Sequence, residues 1–450
     1  MKLSVIGCGY LGAVHAACMA DLGHDVVGVD VDEAKVASLA AGVPPFHEPG
    51  FAELLRRALD TGRLTFTTDM AAVADRQVHF LCVGTPQRED SYAADLRYVD
   101  AAVDALGDRL AAHPDGPVLV VGKSTVPVGT AERIAAQLAQ QAPDAAATLV
   151  WNPEFLREGF AIEDTVSPDR IVYGLPPGQA GATAGTAAGT AADVLDEVYA
   201  PLLAQGIPRL LTDYATAQLV KVAANSFLAT KISFINAMAE LCEATGADVT
   251  QLAEAIGHDD RIGRKFLRAG VGFGGGCLPK DIRAFMARAG ELGVDQALTF
   301  LREVDAINLR RRDHVVELAA AACGGDLSGR RVAVLGAAFK PDSDDIRDSP
   351  ALAVAADVAG RGGQVVVTDP AALANVRRTR PHLTTEADVR TALTGAEVVL
   401  LLTEWREYVD LDPAEVGELV AQRQVVDGRN VLDPARWRAA GWTYRGLGRP

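Results

Sequence analysis

The chain reads as an α/β protein with two Rossmann-like, doubly wound domains joined by a long central helix. Three observations predict this. Short apolar runs alternate with Ala/Leu-rich amphipathic stretches through roughly the first two hundred residues. The same rhythm restarts near Arg330, and the run from about Asp213 to Thr245 lies between the two and contains neither proline nor glycine. With 450 residues, 49% apolar and 23% charged, the chain can bury several cores. The expected division is 1–200 as a first Rossmann domain, 201–310 as a helical domain carrying the spine and a cysteine loop, and 311–450 as a second Rossmann-like domain.

In the first domain LSVIG, DVVGVD, VHFLCVG, PVLVVG, TLVWN and RIVYG are apolar along their length, as strands covered by helices on both faces require. The Gly/Ala/Thr-rich stretch from Pro176 to Asp193 loses periodicity and is expected to be a surface excursion. The spine helix has apolar residues on more than one side, which predicts a well-buried element and a dimer seam. Beyond it, RRVAVLG, a helix near Ser349 to Ala359, QVVVTD, EVVLLLT and QVVDGRN repeat the opening pattern. Gly336 and Asp369 stand where Gly7 and Asp30 stand in the first copy, although the second copy lacks the three-glycine fingerprint.

Composition narrows the function. With 59 acidic against 43 basic side chains, a net charge of −16 opposes binding to nucleic acid or to an anionic membrane surface. An anionic substrate therefore needs a local basic pocket. No uncharged apolar run reaches the ~20 residues that span a bilayer. Met1 to Gly12 lead straight into a strand and a turn without a signal-like segment, so a cytoplasmic protein is expected. The six cysteines show no CxxC or Cys/His spacing, which predicts neither a metal site nor a disulfide framework.

Gly7, Gly9 and Gly12 form GxGxxG after a strand and at the start of a helix, and Asp30 closes the next strand. In that context the glycines permit a tight turn, close approach of a pyrophosphate and close helix packing. Asp30 is placed to accept hydrogen bonds from a ribose and to repel an extra phosphate, which predicts NAD as cofactor rather than NADP.

Cys277 lies in GVGFGGGCLPKD, beside Lys280 and Asp281. A neighbouring lysine favours the thiolate, although a free cysteine is equally often a buried structural thiol. Lys221 and Asn225 share one face of the spine helix, where a lysine among apolar residues either reaches solvent or meets a reacting oxygen. Glu154 and Glu158 follow a strand end, as does Thr125, where open α/β sheets place ligands; solvated carboxylates and a turn threonine are the plain alternatives. Lys340, Arg347 and Arg429 also follow strands and can neutralise a pyrophosphate.

Taken together, GCGYLG, VGVDVDEAK, VGTP, KSTVPVGT, NPEFLREG with PDRIVYG, KVAANSFLATKISFINAMAE, RIGRKFLRAGVGFGGGCLPKD, FKPDSDDIRDSP and DGRN resemble the UDP-glucose and GDP-mannose dehydrogenase family along essentially the whole chain. The run RAGVGFGGGCLPKD looks closest to the bacterial members that oxidise UDP-glucose to the uronate, which implies that substrate, with other sugar nucleotides as alternatives. The resemblance implies Cys277 as nucleophile, with Lys221, Asn225 and Asp281 around the reacting carbon. Glu154, Glu158 and Thr125 would serve proton handling and water placement. It implies cofactor contacts from Gly7, Gly9, Tyr10, Leu11, Gly12, Asp30, Lys35, Thr85, Thr125, Glu158 and Arg347. Substrate contacts are implied for Glu154, Phe155, Leu156, Lys221, Asn225, Phe266, Leu267, Arg268, Phe273, Gly274, Lys340 and Arg429, with Arg261 reaching a partner subunit's substrate in a homodimer built on the spine helix. Gly276 replaces a serine common in relatives, and Lys35 an arginine found in some. Two readings of other kinds compete: a catalytically silent sensor of NAD or nucleotide sugar, and a simple two-electron dehydrogenase, which has no use for Cys277.

Overall fold

The computed structural model describes residues 1–112, 118–179 and 191–450. Most of the Gly/Ala/Thr-rich excursion, at 180–190, lies outside the described residues. Contacts divide the chain into two units, Met1–Ala224 and Asn225–Pro450.

The first unit is built on an eight-stranded sheet: β1 (Lys2–Ile6), β2 (Asp25–Val29), β3 (Leu64–Thr67), β4 (Val78–Leu81), β5 (Val118–Gly122), β6 (Ala147–Trp151), β7 (Ile171–Leu175) and β8 (Arg209–Asp213). Their order is β3-β2-β1-β4-β5-β6-β7-β8. The first six neighbours are parallel, β7 runs antiparallel to β6, and β8 is parallel to β7. The expected strands are all present. LTFT and RLLTD join them at the two edges, where half-exposed, mixed sequences carry a weak apolar signal. Helix α1 (Tyr10–Asp21) follows β1 and is buried from Gly12 to Ala20.

In the second unit a six-stranded parallel sheet comprises β9 (Arg331–Leu335), β10 (Gln364–Thr368), β11 (Thr384–Thr385), β12 (Val398–Leu401), β13 (Gln424–Asp427) and β14 (Thr443–Gly446). Its order is β11-β10-β9-β12-β13-β14, the same winding as the first sheet. The echo read from the sequence extends to the turns. Gly7 and Gly336 have φ of 92° and 110°, and each donates its N–H across to the end of the next strand at 2.8 Å, to Val29 and Thr368 respectively. The acids diverge. Asp369 is consumed internally, accepting from the amides of Ala337, Ala338, Ala371 and Ala372 and from the Trp405 indole. The second copy thus keeps the turn but spends its acid on structure.

The spine is α2 (Tyr214–Thr245), 32 residues and about 48 Å long at 1.5 Å per residue. It is followed by α3 (Leu278–Glu291) and α4 (Phe300–Ala322). Burial of α2 is incomplete: Phe227, Phe234 and Leu241, seven residues apart, are 66%, 48% and 57% exposed.

Candidate active site

In the first unit the glycine turn fits a dinucleotide. A Cβ on Gly12 would lie 1.8 Å from the Gly7 carbonyl oxygen, so α1 packs on the turn at a distance only glycine permits. Over Gly9 the space is open within 4 Å. Helix α1 begins at Gly9 without a side-chain cap, so its first amides are oriented for phosphate oxygens. Asp30 accepts from the amides of Cys8 (2.7 Å) and Asp32 (3.0 Å), which fixes its carboxylate beside the turn. Lys35 Nζ lies 3.0 Å from both oxygens of Asp30, so this lysine is engaged by the acid beside the turn.

Tyr10 donates its hydroxyl to Glu48, a buried carboxylate. Glu48 also accepts from the amides of Gly159 (2.6 Å) and Ala161 (2.8 Å), and Gly159 donates to the Tyr10 oxygen at 3.0 Å. Burial, and then the Glu48 hydrogen bond, hold the Tyr10 phenol far above its usual range. The knot ties the start of α1 to the loop that carries Glu154 and Glu158. Leu11 and Leu156 pack at the edge of the same apolar core.

Glu154 and Lys221, 67 residues apart, meet here: Lys221 Nζ donates to Glu154 Oε1 at 2.9 Å, and the Leu156 amide donates to Oε2 at 2.5 Å. Lys221 is 4% exposed, so its ammonium is buried with a counterion instead of reaching solvent. The ring of Phe155 lies 5.7 Å from Lys221 Nζ and 3.8 Å from the Arg170 guanidinium. Thr85 donates its hydroxyl to the Thr125 carbonyl at 2.7 Å, joining the loops after β4 and β5. Glu158 is half-buried.

In the second unit Cys277 is the N-terminal cap residue of α3, a position where the helix dipole favours a thiolate. It is exposed, whereas the other five cysteines are buried. Burial pushes the Cys18 and Cys82 thiols up to about 12, so they are poor nucleophiles. One turn into α3, Asp281 is buried and accepts from Asn225 Nδ2 at 2.6 Å, with Lys280 Nζ 2.7 Å from its other oxygen.

The glycines before Cys277 turn out to be required by packing within the unit. A Cβ would meet Asn308 at Gly272, the Asp348 carbonyl at Gly274, the Phe339 ring at Gly275 and the Arg347 guanidinium at Gly276, each at 2.8 Å or less. Only at Gly276 is the obstacle the end of a flexible side chain, so a serine there requires Arg347 to move. Two buried asparagines pin the loop: Asn236 accepts from the Gly270 amide at 2.8 Å, and Asn308 accepts from the Phe273 amide at 2.7 Å and donates to its carbonyl at 3.0 Å.

The residues expected to hold the sugar nucleotide divide into exposed and committed side chains. Phe266, Arg268 and Arg261 are exposed, the last forming a salt bridge with Asp259 at 2.6 Å. Leu267 and Phe273 are core residues, and the main chain of Phe273 is already engaged by Asn308. Arg429 donates to the carbonyls of Leu402, Gly272 and Phe339, and Lys340 lies over the Phe339 ring. Arg347 pairs with Asp345 at 2.6 Å.

Sequence reading missed Glu48, Asn236 and Asn308. Asn236 carried a signal, being eleven residues, three helical turns, after Asn225 in an apolar run. Glu48, in a proline-rich loop, and Asn308, on a charged helix, carried none.

Three family models match the chain. The NAD-binding domain of the UDP-glucose/GDP-mannose dehydrogenase family matches residues 1–202, its central domain 215–310 and its UDP-binding domain 333–434. A UDP-glucose 6-dehydrogenase of Rhizobium meliloti is 42% identical over the whole of both chains. One from Bacillus subtilis, TuaD, is 39% identical over all of this chain and 93% of its own. Among solved structures, a UDP-glucose dehydrogenase from the hyperthermophilic archaeon Pyrobaculum islandicum is 41% identical with a TM-score of 0.89, covering 100% of this chain and 98% of that one.

Proposed function

The chain belongs to the UDP-glucose/GDP-mannose dehydrogenase family, and we propose that it is an NAD-dependent UDP-glucose 6-dehydrogenase that takes the primary alcohol of the sugar to the carboxylate. The observation that carries this reading is the exposed Cys277 at a helix N-terminus, with the buried Asn225–Asp281 pair beside it in the same unit. Oxidation of an alcohol to an aldehyde needs no nucleophile. Oxidation on to the acid does.

NAD is the cofactor and, when bound, supplies the hydride acceptor for both oxidations. Gly7, Gly9, Gly12, Tyr10, Leu11, Asp30 and Lys35 hold it, with Thr85, Thr125, Glu158 and Arg347 completing the contacts. The Glu154–Lys221 pair takes the proton of the alcohol, with Thr125 and Glu158 placing water. The Cys277 thiolate adds to the aldehyde carbon, and Asn225 and Lys221 stabilise the oxyanion of the resulting thiohemiacetal. After the second oxidation, water aligned by Asp281, Lys221 or Glu154 cleaves the thioester and restores the thiol. Phe155, Leu156, Phe266, Leu267, Arg268, Phe273, Gly274, Lys340 and Arg429 bind the sugar nucleotide. The boundaries 1–200, 201–310 and 311–450 serve as cofactor, spine and nucleotide-sugar domains. Six cysteines outside any disulfide and a nucleotide cofactor fit the cytoplasm.

The test is the number of NADH formed per sugar nucleotide consumed, with UDP-glucose, GDP-mannose and UDP-N-acetylglucosamine offered separately. Two NADH with UDP-glucose are expected. One NADH would indicate a simple dehydrogenase, none with any of the three a sensor, and two with another sugar a different specificity.

Phe227, Phe234 and Leu241 support a homodimer through α2. Their heptad spacing aligns them in one stripe, and covering the exposed half of each is worth about 1 kcal/mol. Replacing both phenylalanines by glutamate is expected to convert a dimer into a monomer in light scattering. An unchanged mass would place the seam elsewhere. Arg261 reaches the partner's substrate in this dimer.

A further inference from the structure

Lys123 is the first residue after β5, and Asn152 the first after β6. The two strands pair Gly122 with Trp151, so their ends deliver these residues side by side. Backbone bonds fix both, from the Lys123 amide to the Leu81 carbonyl (2.9 Å) and from the Asn152 amide to the Gly122 carbonyl (2.8 Å). Lys123 is 7% exposed. Among the described residues, its ammonium finds neutral hydrogen-bond partners: Asn152 Oδ1 at 2.9 Å and the Tyr199 hydroxyl at 3.4 Å. Tyr199 also donates to Asn152 Oδ1 at 2.8 Å, and Asn152 Nδ2 donates to the Val172 carbonyl at 2.9 Å, so the amide is held from both sides.

An ammonium buried without a carboxylate in contact is costly, and a protein of this size has many cheaper ways to fill such a space. What distinguishes this one is its place. It lines one cleft with Asn152, Glu154, Phe155 and Tyr199, and Asn152 is two residues from Glu154. The groups facing it are Cys82 after β4, His15 on α1, Asn152 and Glu154 after β6, Tyr199, and Lys221 on α2. His15 is wholly buried with Nε2 unpaired, and burial, then Lys123, hold it neutral by lowering its pKa. Burial likewise lowers the pKa of Lys123, with Cys82 and Glu154 opposing.

We propose that Lys123 is a positioning residue for the oxidation: its buried ammonium clamps Asn152, and through the segment Asn152–Pro153–Glu154 it sets the carboxylate that meets Lys221. The proposal rests on the assignment of Glu154 and Lys221 to proton handling. It also gives the buried charge a use, since a fixed cation behind the pair makes every neighbouring group release its proton more readily.

Lys123→Met tests it, because methionine fills the space and Tyr199 still satisfies Asn152. The variant is expected to melt no lower than the parent and to keep both KM values. Its kcat is expected to fall roughly ten- to a hundredfold, and its kcat–pH profile to move to higher pH. Asn152→Asp, which keeps the ammonium but cancels its field, is expected to move the profile the same way and serves if the first variant does not fold. Parent-like kcat with an unmoved profile overturns the proposal, as does a kcat loss that merely follows a lowered melting temperature. Glu154→Gln and Lys221→Met run alongside: if these two are parent-like, the proton-handling assignment fails and takes Lys123 with it. If they are impaired and Lys123→Met is not, only the role of Lys123 is lost.

Discussion

Serine at position 277 is expected to lower steady-state turnover by about a thousandfold or more, roughly 4 kcal/mol of transition-state stabilisation, while NAD and UDP-glucose bind nearly as before. Cys277 is exposed at the N-cap position of α3, so the substitution tests chemistry without opening a core. A hydroxyl ionises far above a thiol, and the helix N-terminus that favours a thiolate cannot close that gap. The first oxidation needs no nucleophile. A rapid-mixing experiment should therefore retain its first NADH and lose the second, and calorimetry should return near-parent dissociation constants. Turnover near the parent rate would rule out the covalent scheme. Loss of the first NADH as well would mean that the sulfur also orders the alcohol.

The parts of this molecule that were legible in the sequence are those fixed by short-range sterics. Gly7 and Gly12 announce a turn because no side chain fits there, and the apolar strands announce a covered sheet because both of their faces are buried. Asp30 and Asp369 show where legibility stops. Both close the second strand after a glycine turn, yet Asp369 is committed by Trp405, 36 residues on, and no local pattern reveals that. The glycine loop before Cys277 was recognised as special, but its cause was not. Asn308, Asp348 and Phe339, each more than 30 residues away in the chain, fill the space. The spine helix reads as apolar on several sides, and periodicity cannot say whether its own chain or a second copy covers the stripe at Phe227, Phe234 and Leu241. Glu48 was illegible for the same reason as Asn308: a polar residue acquires its task only from tertiary partners.

Asparagine in place of Asp281 is expected to reduce kcat by about a hundred- to a thousandfold and to destabilise the fold by about 1–3 kcal/mol. Asp281 is 2% exposed; one oxygen accepts from Asn225 Nδ2 at 2.6 Å and the other forms an ion pair with Lys280 Nζ at 2.7 Å. An amide offers one oxygen and one NH2. Whichever way it turns, its NH2 confronts a donor, either the Asn225 amide or the Lys280 ammonium, and a buried donor is left unmet. If the oxygen turns to Lys280, Asn225 loses the partner that aims it and its carboxamide is free to rotate. If it turns to Asn225, the lysine loses its counterion next to the nucleophile loop. Both arrangements weaken the group assigned to the oxyanion, so kcat should fall by more than the loss of stability alone accounts for. The check is kcat measured well below the melting temperature of the variant, beside its unfolding free energy in urea. A stability loss with kcat intact would make Asp281 a structural anchor for Asn225 and move water activation to the Glu154–Lys221 pair.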